Sequence, residues 1–321
     1  MARKKKIASI SLDLDNQWSY MKIHGDEGWD KYPSYFNIFV PHVLQVLDEL
    51  GLKITFFVVG KDTESADNCR YLKMIADHGH EIGNHSYHHE SWLQSYSYEK
   101  IEKEIQEAER AIEQATGQRP TGFRGPGFSW SVDLLKVLQK RGYRFDASTL
   151  PTYLGPLARM YYFKKSNLSG EEKKARKELF GKFSEGFRKL KPYNWDLGDQ
   201  RTLTEIPVTT MPVFKLPFHL SYLIYIGNLS MGLMKLYLNT AILLCKVTNT
   251  PISFLLHPLD LVGGDQVAEL AFFPGMNVSS ARKVEIFREV IGTIGKHYDL
   301  VGMGKHYDYL IQHANLRQIR A

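Results

Sequence analysis

From Ile7 to Leu14 apolar residues alternate with small and acidic ones, and the run stops at Asp15. That pattern predicts a buried strand with its carboxylates at the C-terminal end. Tyr35–Leu50 carries apolar residues at helical spacing and is closed by Gly51, and Lys53–Val59 is a continuous apolar run of the kind found in a parallel sheet. Tyr71–His78 is amphipathic and ends at Gly79, and Tyr98–Ala115 is a charged, alanine-rich helix that stops before Gly117. Gly122–Arg124 reads as a short strand and Val132–Arg141 as a helix closed by Gly142. The rhythm resumes at Leu203–Val208 and Ile252–Leu256 as strands, Ala281–Ile294 as a helix capped by Ser280, and Asp299–Val301 as a strand before a terminal helix. Alternating β and α units with right-handed crossovers predict a parallel α/β barrel.

Two stretches interrupt this order without ending the domain, so residues 1–321 read as a single domain carrying two additions. About 155–200 is an inserted segment. Within it, Phe163 to Lys191 holds ten basic and four acidic residues, a surplus of six in a chain whose totals are 41 and 35. Leu179, Phe183, Phe187 and Leu190 recur there at helical spacing, which describes a basic amphipathic helix suited to an anionic membrane surface or to packing on the barrel. The second stretch, about 216–246, is apolar and helical. Leu216 to Met234 contains no Asp, Glu, Lys or Arg, but Pro217, Gly227, Asn228 and Gly232 favour a pair of packed helices over a membrane span, with a lipid-contacting element as the alternative.

Composition is that of an ordinary globular protein, and the two cysteines, Cys69 and Cys245, provide no disulfide framework. The basic N-terminus, Met1 to Lys6, is followed by an apolar stretch too short for a signal peptide. These features predict a cytoplasmic protein without a cleavable leader, peripheral on the inner face of the membrane. No nucleic-acid-binding fingerprint is present. The pentapeptide GKHYD occurs at 295–299 and 304–308, and both of its histidines, His297 and His306, read as surface residues.

The chemistry concentrates in two segments, SLDLD at 11–15 and GHEIGNHSYHH at 79–89. One carboxylate and the pair His85 and His89 make a facial metal-binding set with open positions, and the second carboxylate is left as a base. His88 reads as a neighbour of this set, with substitution for His89 as the alternative. Each pattern alone is common; together, beside a strand end, they point to metal-assisted hydrolysis.

With those residues in view, the chain resembles the NodB-type polysaccharide deacetylases, carbohydrate esterase family 4. FRGPG at 123–127, RFDAS at 144–148 and FLLHP at 254–258 follow in the family's order. The resemblance implies a distorted parallel (β/α)7-type barrel. It implies Asp13 as catalytic base, Asp15, His85 and His89 as metal ligands, Arg124 as the partner that orients Asp13, and His257 as general acid. It further implies that Leu255 walls the acyl pocket and that Ser86 supports the histidine loop. Gly127 stands where the family usually has tyrosine, so that only the backbone N–H of that position is kept. No tryptophan accompanies Asp146 in the fourth motif, and Trp195 is a distant substitute. His219 and Asp260 lie near apparent strand ends and are further substrate-binding candidates.

The implied activity is hydrolytic N-deacylation, above all N-deacetylation, of an N-acyl amino sugar. One divalent ion is required: zinc by default, with cobalt, nickel or manganese compatible with the ligands. The apolar and basic segments suggest a sugar carried on a polyprenyl-phosphate lipid in surface-glycan synthesis. The rival readings are a deformylase or small soluble amide hydrolase of the same fold, and a catalytically inactive glycan- or lipid-binding module.

Overall fold

The computed structural model describes residues 5–155, 160, 183–198 and 202–321. Most of the basic segment expected to form an amphipathic helix, including Lys173, Lys174, Arg176 and Lys177, lies outside the described residues. Its described end, Phe183–Phe187, is a short 3-10 turn packed on Tyr153.

The strands in chain order are β1 (Lys6–Leu14), β2 (Thr55–Val58), β3 (Glu81–Asn84), β4 (Gly122–Phe123), β5 (Phe145–Asp146), β6 (Tyr193–Asp196), β7 (Leu203–Glu205), β8 (Thr210–Met211), β9 (Leu216–Pro217), β10 (Ile252–Leu256), β11 (Tyr298–Val301) and β12 (Gln318–Arg320). Strands β10, β1, β2, β3, β4, β5 and β7 run side by side and parallel. The chain leaving β7 returns to β10, where the Thr209 N–H donates to Ser253 O at 3.0 Å and the Ser253 N–H to Thr209 Oγ1 at 2.8 Å. These bonds close the seven-stranded parallel barrel. Strand β6 lies antiparallel to β7 and carries β12, and β11 pairs with the start of β1.

The helices are α1 (Gln17–His24), α2 (Phe36–Glu49), α3 (Ala66–Asp77), α4 (Tyr98–Thr116), α5 (Val132–Lys140), α6 (Leu220–Leu229), α7 (Met231–Val247), α8 (Ser280–Gly295) and α9 (Met303–His313). Helix boundaries fall within a few residues of those read from the sequence, except that α3 begins at Ala66, where the Ser65 side chain caps it. The cap of α8 is Ser279, not Ser280; the Ser280 hydroxyl donates to Leu261 O at 2.7 Å instead. The apolar stretch is two helices, broken where the Ser230 side chain accepts from Leu233 N. Among the described residues no helix is long and apolar enough to cross a membrane.

The alternation in β1 explains how the barrel becomes a site. Ala8, Ile10, Leu12 and Leu14 point outward into the main core under the helices. Ser9, Ser11 and Asp13 are also buried, and they face the barrel interior. A buried polar group must be bonded, and this column is: His306 Nδ1 lies 2.8 Å from Ser9 Oγ, and Arg124 donates to Ser11 Oγ at 2.9 Å. His306 is therefore not a surface residue. It is 1% exposed, because α9 turns it under the barrel, while the other copy of the pentapeptide runs from the end of α8 into β11.

Candidate active site

The groups singled out by sequence gather at the C-terminal ends of the barrel strands. Asp13 ends β1, His85 follows β3, Arg124 follows β4 and His257 follows β10. Arg124 is fully buried. It donates to Asp13 Oδ1 at 2.6 Å, to Ser11 Oγ and to Ala147 O at 3.1 Å, and its guanidinium lies 4.4 Å over the Phe57 ring. Gly83 makes room for that ring, since a Cβ there would stand 2.5 Å from Phe57 Cδ1. The charged fork thus holds Asp13 in one orientation.

The two histidines are presented by a tight loop rather than a helix. Asn84 Oδ1 accepts from Ser86 N at 2.8 Å, Ser86 adopts φ 65°, and its hydroxyl accepts from His89 N at 3.2 Å. His85 and His89 end with ring centroids 5.1 Å apart. His85 Nδ1 donates to Arg124 O at 2.6 Å, leaving its Nε2 to face Asp15. His88 turns away: its ring and its N–H both bond Glu104 on α4.

Asp15, His85 and His89 offer ligand atoms that all lie within 4.8 Å of one another. His89 Nε2 stands 2.9 Å and His85 Nε2 3.6 Å from Asp15 Oδ1, yet that oxygen is buried with no aligned hydrogen-bond donor. A hard oxygen and two imidazole nitrogens converging without satisfying one another fit a divalent cation of the zinc type. Burial opposes ionisation of Asp15, but the adjacent His89 and His85 outweigh it and hold the carboxyl at about 2.

Three further groups surround this centre: Asp62 and Lys283, which the sequence pattern did not single out, and Asp260, which it marked only as a substrate contact. Asp62, just past β2, accepts from Asn16 Nδ2 and Trp18 Nε1, both at 2.8 Å, and burial pushes it up to about 7. Trp18 in turn packs edge-on against His89. Asp260 accepts from His257 N at 2.8 Å, and its carboxylate lies 3.8 Å from His257 Nδ1. Burial disfavours a charged His257, but Asp260, with Asp13 and Asp15 behind it, overcomes this and raises the ring to about 9. Lys283 is buried and donates to Leu259 O and Val262 O, each at 2.7 Å, which pins the loop carrying Asp260. A carboxylate beyond a strand end is the only signal that marks Asp62 and Asp260 in sequence, and it is a common one.

A cavity of about 270 Å³ joins these parts. Its polar wall is Asp13, Asp15, His85, His89, His257 and His219, and its apolar wall includes Tyr20, Ile23, Ile224, Leu259 and Phe273. Gly127 lines it with φ 60°. His219 stands with its ring 6.2 Å from that of His257, and burial followed by the positive His257 lowers it to about 4. Leu255 is not on the wall. It pairs with Ser11, one layer below Asp13, and Leu259 is the leucine that lines the cavity.

Asp146 and Trp195 also lie behind the cavity and not around it. Asp146 is buried next to Arg124, is bonded by Ser148 Oγ and faces Glu205. Glu205 accepts from Thr149 Oγ1 at 2.6 Å and from Trp195 Nε1 at 3.2 Å. Burial raises both carboxyls: Asp146 to about 6, held back by its bond with Glu205, and Glu205 well above its ordinary value, pushed further by the Asp146 charge. The folded pair therefore keeps a proton that the unfolded chain releases, and it subtracts stability as pH rises above the unfolded values. Glu205→Gln is expected to flatten this fall. In thermal unfolding at pH 5 and pH 8, the variant should gain relative to the parent at pH 8, while an equal offset at both values would contradict the shared proton.

Comparison with known proteins finds similarity over the segment that carries the histidine loop. Residues 25–145, which contain His85, His89 and Arg124, match the polysaccharide deacetylase family model. That segment, well under half of the chain, is similar to the polysaccharide deacetylases. The chain is 28% identical over 151 residues to the peptidoglycan deacetylase of Helicobacter pylori, covering 46% of this chain and 50% of that protein. It is 32% identical over 106 residues to the chitooligosaccharide deacetylase of Sinorhizobium fredii, covering 33% of this chain and 48% of the other. The chain spans about half the length of the curated relatives it matches. A solved structure from Mycobacterium smegmatis, assigned as a polysaccharide deacetylase, superposes with a TM-score of 0.58 at 18% identity over 99% of this chain and 95% of that one, and shares its fold.

Proposed function

We propose that this chain is a metal-dependent amide hydrolase that removes an acyl group, acetyl first among candidates, from an N-acyl amino sugar carried on a lipid. The observation that carries the reading is the convergence of Asp15, His85 and His89 beside the Arg124-held Asp13, with His257 on the same cavity. A divalent ion held by those three ligands would supply Lewis acidity and a more acidic water. Asp13, fixed by Arg124, takes the proton of the attacking water. The N–H of Gly127 is the backbone donor for the oxygen that gains charge. His257, charged by virtue of Asp260, delivers a proton to the departing nitrogen, which leaves poorly as an anion. The apolar wall receives the acyl methyl and excludes water. The lipid is supported by the apolar cavity wall and by the apolar helices beside it, α6 and α7.

Mass spectrometry of lipid-linked sugars from cells with and without the protein tests the reading: a mass difference of one acyl group on one lipid-linked species is the expected result. An unchanged lipid-linked pool would remove the lipid from the proposal, and inactivity of the zinc-loaded protein on soluble N-acetylated sugars as well would remove the reaction.

Asp260 gives a pH-dependent test. Its carboxylate raises His257, so Asp260→Asn should lower the ring, and activity that depends on the protonated ring should be lost at a lower pH than in the parent. The alkaline limb of kcat/KM against pH is expected to move down by about one unit or more, the order of a close charge effect. An unmoved limb would separate Asp260 from the proton donor.

A further inference from the structure

Helix α7 is apolar on two opposite sides, with Lys235, Asn239 and Lys246 also on its surface. Met234, Leu238, Ala241, Ile242 and Cys245 are buried against the barrel. On the opposite side Leu233, Leu236, Thr240, Leu243 and Val247 recur at three- and four-residue steps, and the four apolar ones are 53–74% exposed. A contiguous apolar stripe on the outer side of a helix is normally covered. Among the described residues nothing encloses this stripe, which runs about 21 Å along the helix.

The stripe continues at both ends. Toward α6 it meets Leu229, 85% exposed, and then Tyr225, 46% exposed, which lines the active-site cavity. Toward the other end lies the β8–β9 hairpin, which packs on α7 and exposes Val213 and Phe214 at its tip. The charge of this region is one-sided. Between Glu205 and Asp260 there is no Asp or Glu, and of its three lysines Lys235 pairs with Glu289 of α8 at 3.1 Å, Lys215 donates to Arg188 O at 2.6 Å, and Lys246 is exposed.

We propose that the outer face of α6, α7 and the β8–β9 hairpin is a membrane-docking surface that seats on an anionic lipid bilayer and turns the cavity rim at Tyr225 toward it. The chemistry selects this occupant. Exposed leucines and a phenylalanine at a hairpin tip are stabilised on entering the acyl boundary, and lysines near the surface are attracted by anionic headgroups. A second copy of the chain packed on the same face would bring Lys246 against a like-charged surface whose nearby carboxylate, Glu289, is already paired with Lys235 at 3.1 Å. The purpose of the docking, presenting a lipid-borne sugar to the cavity, rests on the proposed lipid-linked substrate; the docking itself does not.

The test is co-sedimentation of the full chain with phosphatidylcholine vesicles, with and without phosphatidylglycerol, together with light scattering for oligomeric state. The parent is expected to bind, and to prefer the anionic vesicles. Leu236→Glu/Leu243→Glu should lower the partition coefficient by roughly tenfold or more per leucine. Lys246→Gln should reduce the preference for anionic vesicles about fivefold, the effect of one surface lysine. Leu236→Trp, which preserves the apolar stripe, provides a second readout if the charged variant does not fold: its emission should shift to the blue on vesicles. Failure of the parent to bind, binding unaffected by the double substitution, no blue shift, or a parent dimer that Leu236→Glu dissociates would overturn the proposal. Because none of these readings needs turnover, a protein that docks without deacylating would count against the reaction alone, and one that deacylates soluble sugars without docking would count against this surface alone.

Discussion

Asp13→Asn is expected to lower kcat by about 10²–10⁴, the usual contribution of a positioned base, while the protein retains its metal ion. The ligand set is Asp15, His85 and His89, and none of them is changed. Asparagine keeps an oxygen for the 2.6 Å bond from Arg124 Nη1, so the geometry should survive while proton removal does not. Turnover and metal content measured on the same preparation decide the matter. A variant that lost its metal with Asp15 intact would require the two aspartates to exchange roles.

Arg124→Met should be the most destabilising single change in the site. The guanidinium is fully buried and bonds Asp13, Ser11 and Ala147. Its removal leaves the Asp13 carboxylate, 5% exposed, without its buried partner. Breaking such a pair from one side costs about 3–5 kcal/mol, or roughly 10 °C in the midpoint of thermal unfolding for a chain of this size. The double variant Asp13→Asn/Arg124→Met should recover part of that loss, because the stranded charge is gone. Equal instability of the single and double variants would mean that Arg124 acts through its backbone-facing bonds and not through Asp13.

The parts of the site legible in the sequence are those whose chemistry is tied to a strand end. Asp13 and Asp15 terminate a run whose alternation could be read directly, and His85 and His89 stand in a segment dense with ligand types. The barrel followed from the β/α alternation. The positioning groups were harder to find because their roles depend on long-range contacts. Asp260 acts through a turn that brings it back to His257, and Glu205 meets Asp146 across paired strands. His306 shows the same limit in its simplest form. Two identical pentapeptides occur nine residues apart, yet one leads into an outer strand and the other lies in a helix that buries its imidazole against Ser9. Local sequence cannot separate them, because the difference lies in what the barrel presents to each.

The loop that carries the two metal-facing histidines also limits how the site can be moved. Glu104 on α4 accepts the N–H groups of Tyr87 and His88, and the Asn84 side chain that shapes the turn is itself anchored to the Tyr143 hydroxyl at 2.8 Å. The segment 79–89 is therefore not a portable metal-binding peptide. Transplanted to another scaffold without its distant anchors, the same eleven residues would keep their donor atoms and lose the angle between them. Inheritance of this centre belongs to the barrel as a whole, and a protein engineer borrowing it would have to borrow α4 and the turn after α5 as well.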